Sequence, residues 1–162
     1  MALADLELLD YWLQQPHFAR WILEDSTIEE ELSTAREAIE GWDPTAVLIV
    51  ELDGRAVGWC QVYRWWDYPD EAANYDARQG EIGFDYGIGE PDAVGNGVGS
   101  GMIAALVAYV RAEHPGASML VGPSAANAAS CRVLAKNGFE LVDTRDIPGE
   151  DNANPIALYR LI

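Results

Sequence analysis

Eight residues, Val94-Gly95-Asn96-Gly97-Val98-Gly99-Ser100-Gly101, run directly into the apolar, helix-forming stretch Met102 to Val110. Glycines at this density let backbone N–H groups turn inward and approach an anion, and a helix start carries partial positive charge. Such a segment is suited to seat a phosphate or pyrophosphate. The same spacing also serves as a plain helix start, and the residues alone leave both readings open. Two carboxylates, Glu81 and Asp85, stand four apart in a strand-like segment, so alternation puts them on one face, and Gln61 and Tyr63 share a face in the same way. Trp65, Trp66, Asp67, Asp70 and Glu71 form either an acidic, aromatic wall for a polyamine or aminosugar, with cation–π contacts of about 0.5–2 kcal/mol, or a solvated loop. Trp21 is a second aromatic candidate, as a pocket lid or as core. His17 and His114 adjoin Pro16 and Pro115 and read as surface positions at helix ends. No metal-ligand cluster is visible, and no serine or cysteine has a histidine partner by spacing, so direct attack without a covalent intermediate is the economical chemistry.

Composition narrows the partners. Ten Lys and Arg against 27 Asp and Glu give a formal charge of −17, a field that repels nucleic-acid phosphates and anionic membrane surfaces and attracts cations. Solubility or adaptation to salt accounts for the same charge. At 162 residues and 49% hydrophobic content the chain is expected to fold as one domain, 1–162, burying roughly 70% of the surface its unfolded form exposes. Cys60 and Cys131 lie in apolar surroundings on different elements and read as buried free thiols. Neither a signal-peptide pattern nor a run of about 18 apolar residues is present, so the expected location is the cytoplasm, away from membranes.

The elements that must position these residues follow from periodicity. Leu6, Leu9, Trp12 and Leu13 predict a first helix that Pro16 stops, followed by a loop or broken helix from His17 to Asp25. Ser26-Thr27 before Glu29 and Glu30 predicts a capped helix from Ile28 to Ile39, ended by Gly41. Ala46 to Leu52, the turn Asp53-Gly54 and Arg55 to Arg64 predict a hairpin. Trp65 to Arg78 has no clear period and reads as a loop or short helices. Gly80 to Gly89 follows as a strand, then the glycine segment and its helix, a short strand Ser118 to Val121, a helix Ala125 to Lys136, and strands Phe139 to Thr144 and Ile156 to Leu161. The order describes a mixed α/β domain.

This order, with Gly97-Val98-Gly99-Ser100-Gly101 and with Pro123-Ser124-Ala125-Ala126-Asn127 running to Lys136-Asn137-Gly138-Phe139, resembles the GCN5-related N-acetyltransferase (GNAT) superfamily. Through Trp21, Gly58 to Tyr63, Gly83-Phe84-Asp85 and the Pro-Ser-x-x-Asn helix start it is most similar to the bacterial aminoglycoside 6'-N-acetyltransferases. The likeness implies a mostly antiparallel sheet flanked by helices, with a V-shaped acetyl-CoA opening between parallel fourth and fifth strands. The family's first strand has no counterpart in Met1-Ala2-Leu3 and is expected to be missing.

The resemblance implies roles. Acetyl-CoA is the acyl donor, with its pyrophosphate on Asn96, Gly97, Val98, Gly99, Ser100 and Gly101. Asn127 helps hold the pantetheine arm, and backbone groups of Tyr86, Gly87 and Ile88 pair with it and polarise the thioester carbonyl, a contribution on the order of 10²–10³ in rate. Asp85 anchors the amine and takes its proton, with Glu81 a second candidate base. Gln61 and Tyr63 line the acceptor pocket. Three positions depart from the pattern: Val94 where the glycine motif usually opens on Gln or Arg, Leu134 where many relatives place a tyrosine acid, and Gly122 where aminoglycoside enzymes place an aspartate. The expected reaction is acetyl transfer to a primary amine of a small cationic substrate, with an aminoglycoside 6'-amine the specific candidate. Two alternatives stand beside it: acylation of a lysine-type amine, on a siderophore or a protein, and a non-catalytic acyl-CoA-binding module. A homodimer is compatible with the family, and no residue fixes it.

Overall fold

The computed structural model describes residues 1–23, 26–147 and 154–162. They form two compact units, Met1–Val62 with Asp85–Val98, and Tyr63–Phe84 with Gly99–Ile162.

The first unit opens with α1 (Leu6–Leu13), α2 (Pro16–Ile22) and α3 (Ile28–Glu40). Pro16 does stop α1, because a residue before proline is driven to extended backbone and Gln15 sits at φ −79, ψ 124. The proline then occupies the first position of a new helix, where its missing N–H costs nothing. Of the loop or broken helix expected from His17 to Asp25, the second alternative is found, with α2 running as far as Ile22; Glu24 and Asp25 lie outside the described residues. Thr27 and Glu30 close a capping box at the start of α3, and Gly41 ends it at φ +81. Strand β1 (Ala46–Leu52) pairs antiparallel with β2 (Arg55–Arg64) through Asp53 and Gly54, both at positive φ, with Leu52 opposite Arg55. Leu6, Leu9, Trp12, Leu13, Phe18, Ala35, Val47 and Trp59 make this unit's core.

That core closes on the end of β3 (Ile82–Ile88) at backbone distance. A Cβ added at Gly89 would stand 2.1 Å from Trp12 Cγ, and one at Gly87 2.4 Å from Phe18 Cε2. A Cβ at Gly58 of β2 would meet the Gly87 carbonyl oxygen at 2.4 Å. Trp12 continues past Gly89 to donate its Nε1–H to Glu90 Oε1 at 2.9 Å, and Arg55 pairs with both Glu90 and Asp92.

The second unit holds α4 (Pro69–Asn74), α5 (Val98–Glu113) from Gly99 onward, β4 (Met119–Val121), α6 (Ala128–Lys136), β5 (Glu140–Arg145) and β6 (Ile156–Leu161). Of the loop or short helices expected over Trp65 to Arg78, the short helices are found, a 3-10 turn at Trp65–Asp67 and α4. Trp65, Leu120, Ile147, Ile156 and Leu158 form one core cluster, into which the Trp65 indole donates to the Leu120 carbonyl at 3.1 Å. Helix α5 buries Met102, Ile103, Leu106, Val107 and Val110. The hydrogen-bonded strand order is β1-β2-β3-β4-β6-β5, mixed α/β and mostly antiparallel, with one parallel pair, β3 and β4, registered at Ile82 and Met119. These are the strands expected as fourth and fifth in the family count, and β1 is the first strand among the described residues. No helix among them is long and apolar enough to cross a membrane.

Glu81, immediately before β3, is fully buried. Arg160 Nε reaches Glu81 Oε1 at 2.6 Å, the Arg78 N–H donates to Oε2 at 2.7 Å, and Ser118 Oγ lies 3.3 Å from Oε1. A buried carboxylate with both oxygens supplied is tolerable; one stripped of its cation is not. Burial also pushes the Cys60 thiol up to about 12, so it stays protonated and inert at neutral pH.

Two outcomes follow. Arg160→Met should cost about 3–5 kcal/mol in urea unfolding, and adding Glu81→Met should recover a large part of it, since the stranded charge goes too. Gly89→Ala should cost at least the ~1–3 kcal/mol typical of overpacking, in the same assay, because the new Cβ meets an immobile indole.

Candidate active site

In the first unit, Asp85 on β3 and Gln61 on β2 are brought together. The Gln61 Nε2–H donates to Asp85 Oδ2 at 2.8 Å, and both residues are half-buried. The neutral Gln61 amide fixes the direction of the Asp85 carboxylate. Three residues further along β3, His17 Nε2 lies 3.0 Å from the Ile88 carbonyl oxygen. Sequence reasoning read His17 as a surface residue; its place in the second position of α2, directly after the helix-starting proline, is what points it at β3. Trp21, one turn on in α2, is half-buried and has the Arg20 guanidinium 4.3 Å from its ring centroid, so it is outside the core.

The glycine segment that closes this unit owes its shape to two left-handed residues, Gly95 at φ +80 and Gly97 at φ +82, on either side of Asn96. Asn96 Nδ2 donates to the Asp92 carbonyl at 2.8 Å, which fixes the turn. Helix α5 begins at Val98, so Gly99, Ser100 and Gly101 are its first turn where a loop was expected. Gly101 has no positive φ and no chain atom within 4 Å of an added Cβ. A helical glycine costs about 0.5–1 kcal/mol relative to alanine, and nothing in the fold requires one here. Close approach of a bound group to the helix start would.

In the second unit, Asn137 Nδ2 braces that first turn through the Ser100 carbonyl at 3.2 Å and Ser100 Oγ at 3.4 Å. Asn127 caps α6, its Oδ1 accepting from the Ser130 N–H at 3.1 Å; the helix starts at Ala128, not Ala125. Glu81 does not join Asp85. It belongs to this unit, precedes the strand on which parity was to align the two, and spends its charge on Arg160. Tyr63 is stacked edge-on to Trp65 and Tyr68 with ring centroids 5.2 and 5.9 Å away, and covers Gly83. Trp65 is core rather than wall. Trp66 is exposed with Arg64 over its ring, and the same Arg64 neutralises Asp67 at 2.6 Å. Asp70 and Glu71 are exposed in the first turn of α4, where acidic residues favour the helix dipole.

Two departures from the family pattern have structural reasons. A Cβ at Gly122 would lie 2.5 Å from Tyr75 Cε1 and 2.8 Å from Ile156 Cγ2, so Tyr75 occupies the space an aspartate there would need. Leu134 is fully buried, and its aliphatic side chain donates no proton. No group of His, Cys, Asp and Glu among the described residues is arranged to hold a metal ion.

Residues 2–147 match the family model described as an acetyltransferase (GNAT) domain. An N-hydroxyputrescine acetyltransferase from Acinetobacter baumannii is 33% identical over 119 residues, 73% of this chain; the chain spans about half of that protein, the match covering 55% of its length. Among solved structures, the aminoglycoside acetyltransferase AAC(6')-Ib with ribostamycin and coenzyme A shares the fold at a TM-score of 0.79 and 22% identity, over 99% of this chain and 89% of that one. An aminoglycoside N(6')-acetyltransferase from Legionella pneumophila shares it at a TM-score of 0.75 and 20% identity, over 99% and 88%. With its glycine-opened helix, the parallel pairing of β3 with β4 and a family match over most of its length, the chain belongs to the GNAT acetyltransferases.

Proposed function

We propose that residues 1–162 work as one acetyltransferase domain that moves the acetyl group of acetyl-CoA to a primary amine on a small aliphatic cation. The observation that carries this reading is the Asp85 carboxylate held by Gln61, on a chain whose net charge of −17 draws cations in. The glycine turn Asn96–Gly101 supports a pyrophosphate seat, with backbone N–H groups and the Ser100 hydroxyl as donors. The Nδ2 of Asn127 is directed to the pantetheine arm, since its Oδ1 is committed to capping α6.

An amine of pKa about 10.4 arrives protonated. Asp85 binds the ammonium ion and takes its proton, directly or through one water. The freed lone pair attacks the thioester carbonyl carbon; N–H groups of the Tyr86–Ile88 segment stabilise the negative charge that grows on the carbonyl oxygen. The tetrahedral species gives up its second nitrogen proton to water and collapses with loss of the C–S bond, and the thiolate leaves, tolerable for a thiol of pKa near 8.5 and consistent with a leucine at position 134. The amide product no longer carries the charge that Asp85 held, and leaves.

For the acceptor, the Acinetobacter relative acts by name on N-hydroxyputrescine and AAC(6')-Ib is seen with ribostamycin. Tyr75 filling the space beside Gly122 supports the slimmer diamine-like cation over an aminosugar that would use a carboxylate there. The unpaired thiols Cys60 and Cys131 support a reducing compartment, the cytoplasm.

Thiol release from acetyl-CoA should be measured with putrescine, N-hydroxyputrescine, lysine and kanamycin. The diamines are expected to give the highest kcat/KM, and Asp85→Asn to lower it about 10²–10⁴-fold with acetyl-CoA binding unchanged. Turnover intact in Asp85→Asn would remove the base; acetyl-CoA binding with no turnover on any amine would make the chain a binding module. Gln61→Leu should lower kcat/KM about tenfold, the worth of one orienting hydrogen bond to a charged group.

A further inference from the structure

The peptide linking Ile88 to Gly89 is trans, so its carbonyl and its N–H point in opposite directions. The Gly89 N–H donates to the Val57 carbonyl of β2 at 2.9 Å. The Ile88 carbonyl therefore leaves β3 on the edge away from β2, and there it is met by a histidine ring. Because a carbonyl oxygen only accepts, His17 Nε2 must carry the proton, as it does in both the neutral Nε2–H tautomer and the imidazolium.

The ring is held at that height by its helix. Pro16 sets the first turn of α2, Phe18 lies against the bare Cα of Gly87, and Trp12 of α1 against that of Gly89. Residues 87, 88 and 89 of the chain are thus each touched from the helical layer, the middle one by the only polar side chain in the set.

We infer that His17 is a positioning residue for the acyl donor: by occupying the Ile88 carbonyl, it leaves the N–H as the group that Ile88 presents on the outer edge of β3. This rests on the reading that this strand end receives the pantetheine and thioester. An unsatisfied carbonyl there would turn its negative end to the side from which the thioester oxygen is to be polarised, and would leave the 88–89 peptide plane held from β2 alone. Capped, the acceptor is removed and the plane is fixed from both edges, so the N–H groups of the segment keep one direction during the reaction. His17 touches neither substrate and transfers no proton.

The test is acetyl-CoA binding by calorimetry together with steady-state kinetics on the parent, His17→Phe, His17→Asn and His17→Gln. An extended Gln carries an amide N–H to about the reach of imidazole Nε2, whereas Asn falls short. His17→Phe and His17→Asn should each weaken acetyl-CoA binding about five- to tenfold, the value of one hydrogen bond plus the bared acceptor, with the amine KM unchanged and kcat reduced. His17→Gln should restore most of both. Equal acetyl-CoA affinity in parent, Phe and Asn variants would overturn the inference, as would a Gln variant no better than Asn. If His17→Phe does not fold, the Asn and Gln pair decides alone. A parent chain that does not bind acetyl-CoA would instead defeat the proposed function, since the inference concerns only the difference between variants.

Discussion

Two aromatic side chains rest on the backbone of one strand end, and that contact sets the tolerances of the first unit. Trp12 and Phe18 approach the chain at Gly89 and Gly87 more closely than any Cβ would allow. At such distances the helices are located by the peptide planes themselves, which are stiffer than a layer of interposed side chains. Everything hung on α2 inherits that precision: the histidine above Ile88, and Trp21 one turn later. Strand β2 supplies the opposite restraint through Val57, Gly58 and Gln61, so β3 is pinned by hydrogen bonds on one edge and by ring contacts on a face. A carboxylate placed on such a strand loses little entropy in holding its direction, which suits Asp85 to the proton transfer proposed for it.

The second unit is anchored differently, by charge. Glu81 collects Arg160, Ser118 and the Arg78 amide in a space with no solvent, joining the strand entry to the chain's last strand. Burying that pair brings little net stability compared with apolar packing, but it punishes misregister, because a shifted β6 would leave a bare carboxylate inside. The acidic composition therefore conceals a sharp distinction. The other carboxylates among the described residues are at least partly exposed and shape a field, while Glu81 is a fastener.

How much of this was legible depended on whether the determining information is local. The hairpin at Asp53-Gly54, the capped helix from Ile28 and the Asn137-Gly138 stop are set by residues within one turn of each other, and their boundaries fall within a residue or two of expectation. Pro16 shows the limit of that method: the rule that proline ends a helix is sound, but the rule that it begins one applied at the same residue. Asp85 was singled out through its matched motif and Gln61 through the parity that set it beside Tyr63, but the hydrogen bond between Asp85 and Gln61 crosses two strands and had no sequence signal. The Glu81 ion pair was invisible because its partner stands 79 residues away, and parity cannot see that the strand begins two residues later than its expected start at Gly80. His17 was overlooked for the same reason. Its acceptor is a main-chain atom 71 residues on, and no side-chain pattern marks a carbonyl.

Tyr75 and Gly122 deserve reading as a pair in evolutionary terms. Any side chain at position 122 collides with the Tyr75 ring, and with Ile156 behind it. A descendant acquiring an aspartate there would have to lose the tyrosine first, opening a gap between α4 and β6, or pass through a crowded intermediate. The two positions are therefore epistatic, and exchanging glycine for aspartate at position 122 crosses a stability valley instead of a single codon change. Drift alone would keep this lineage on its own side of that valley unless stability elsewhere in the domain were first in surplus.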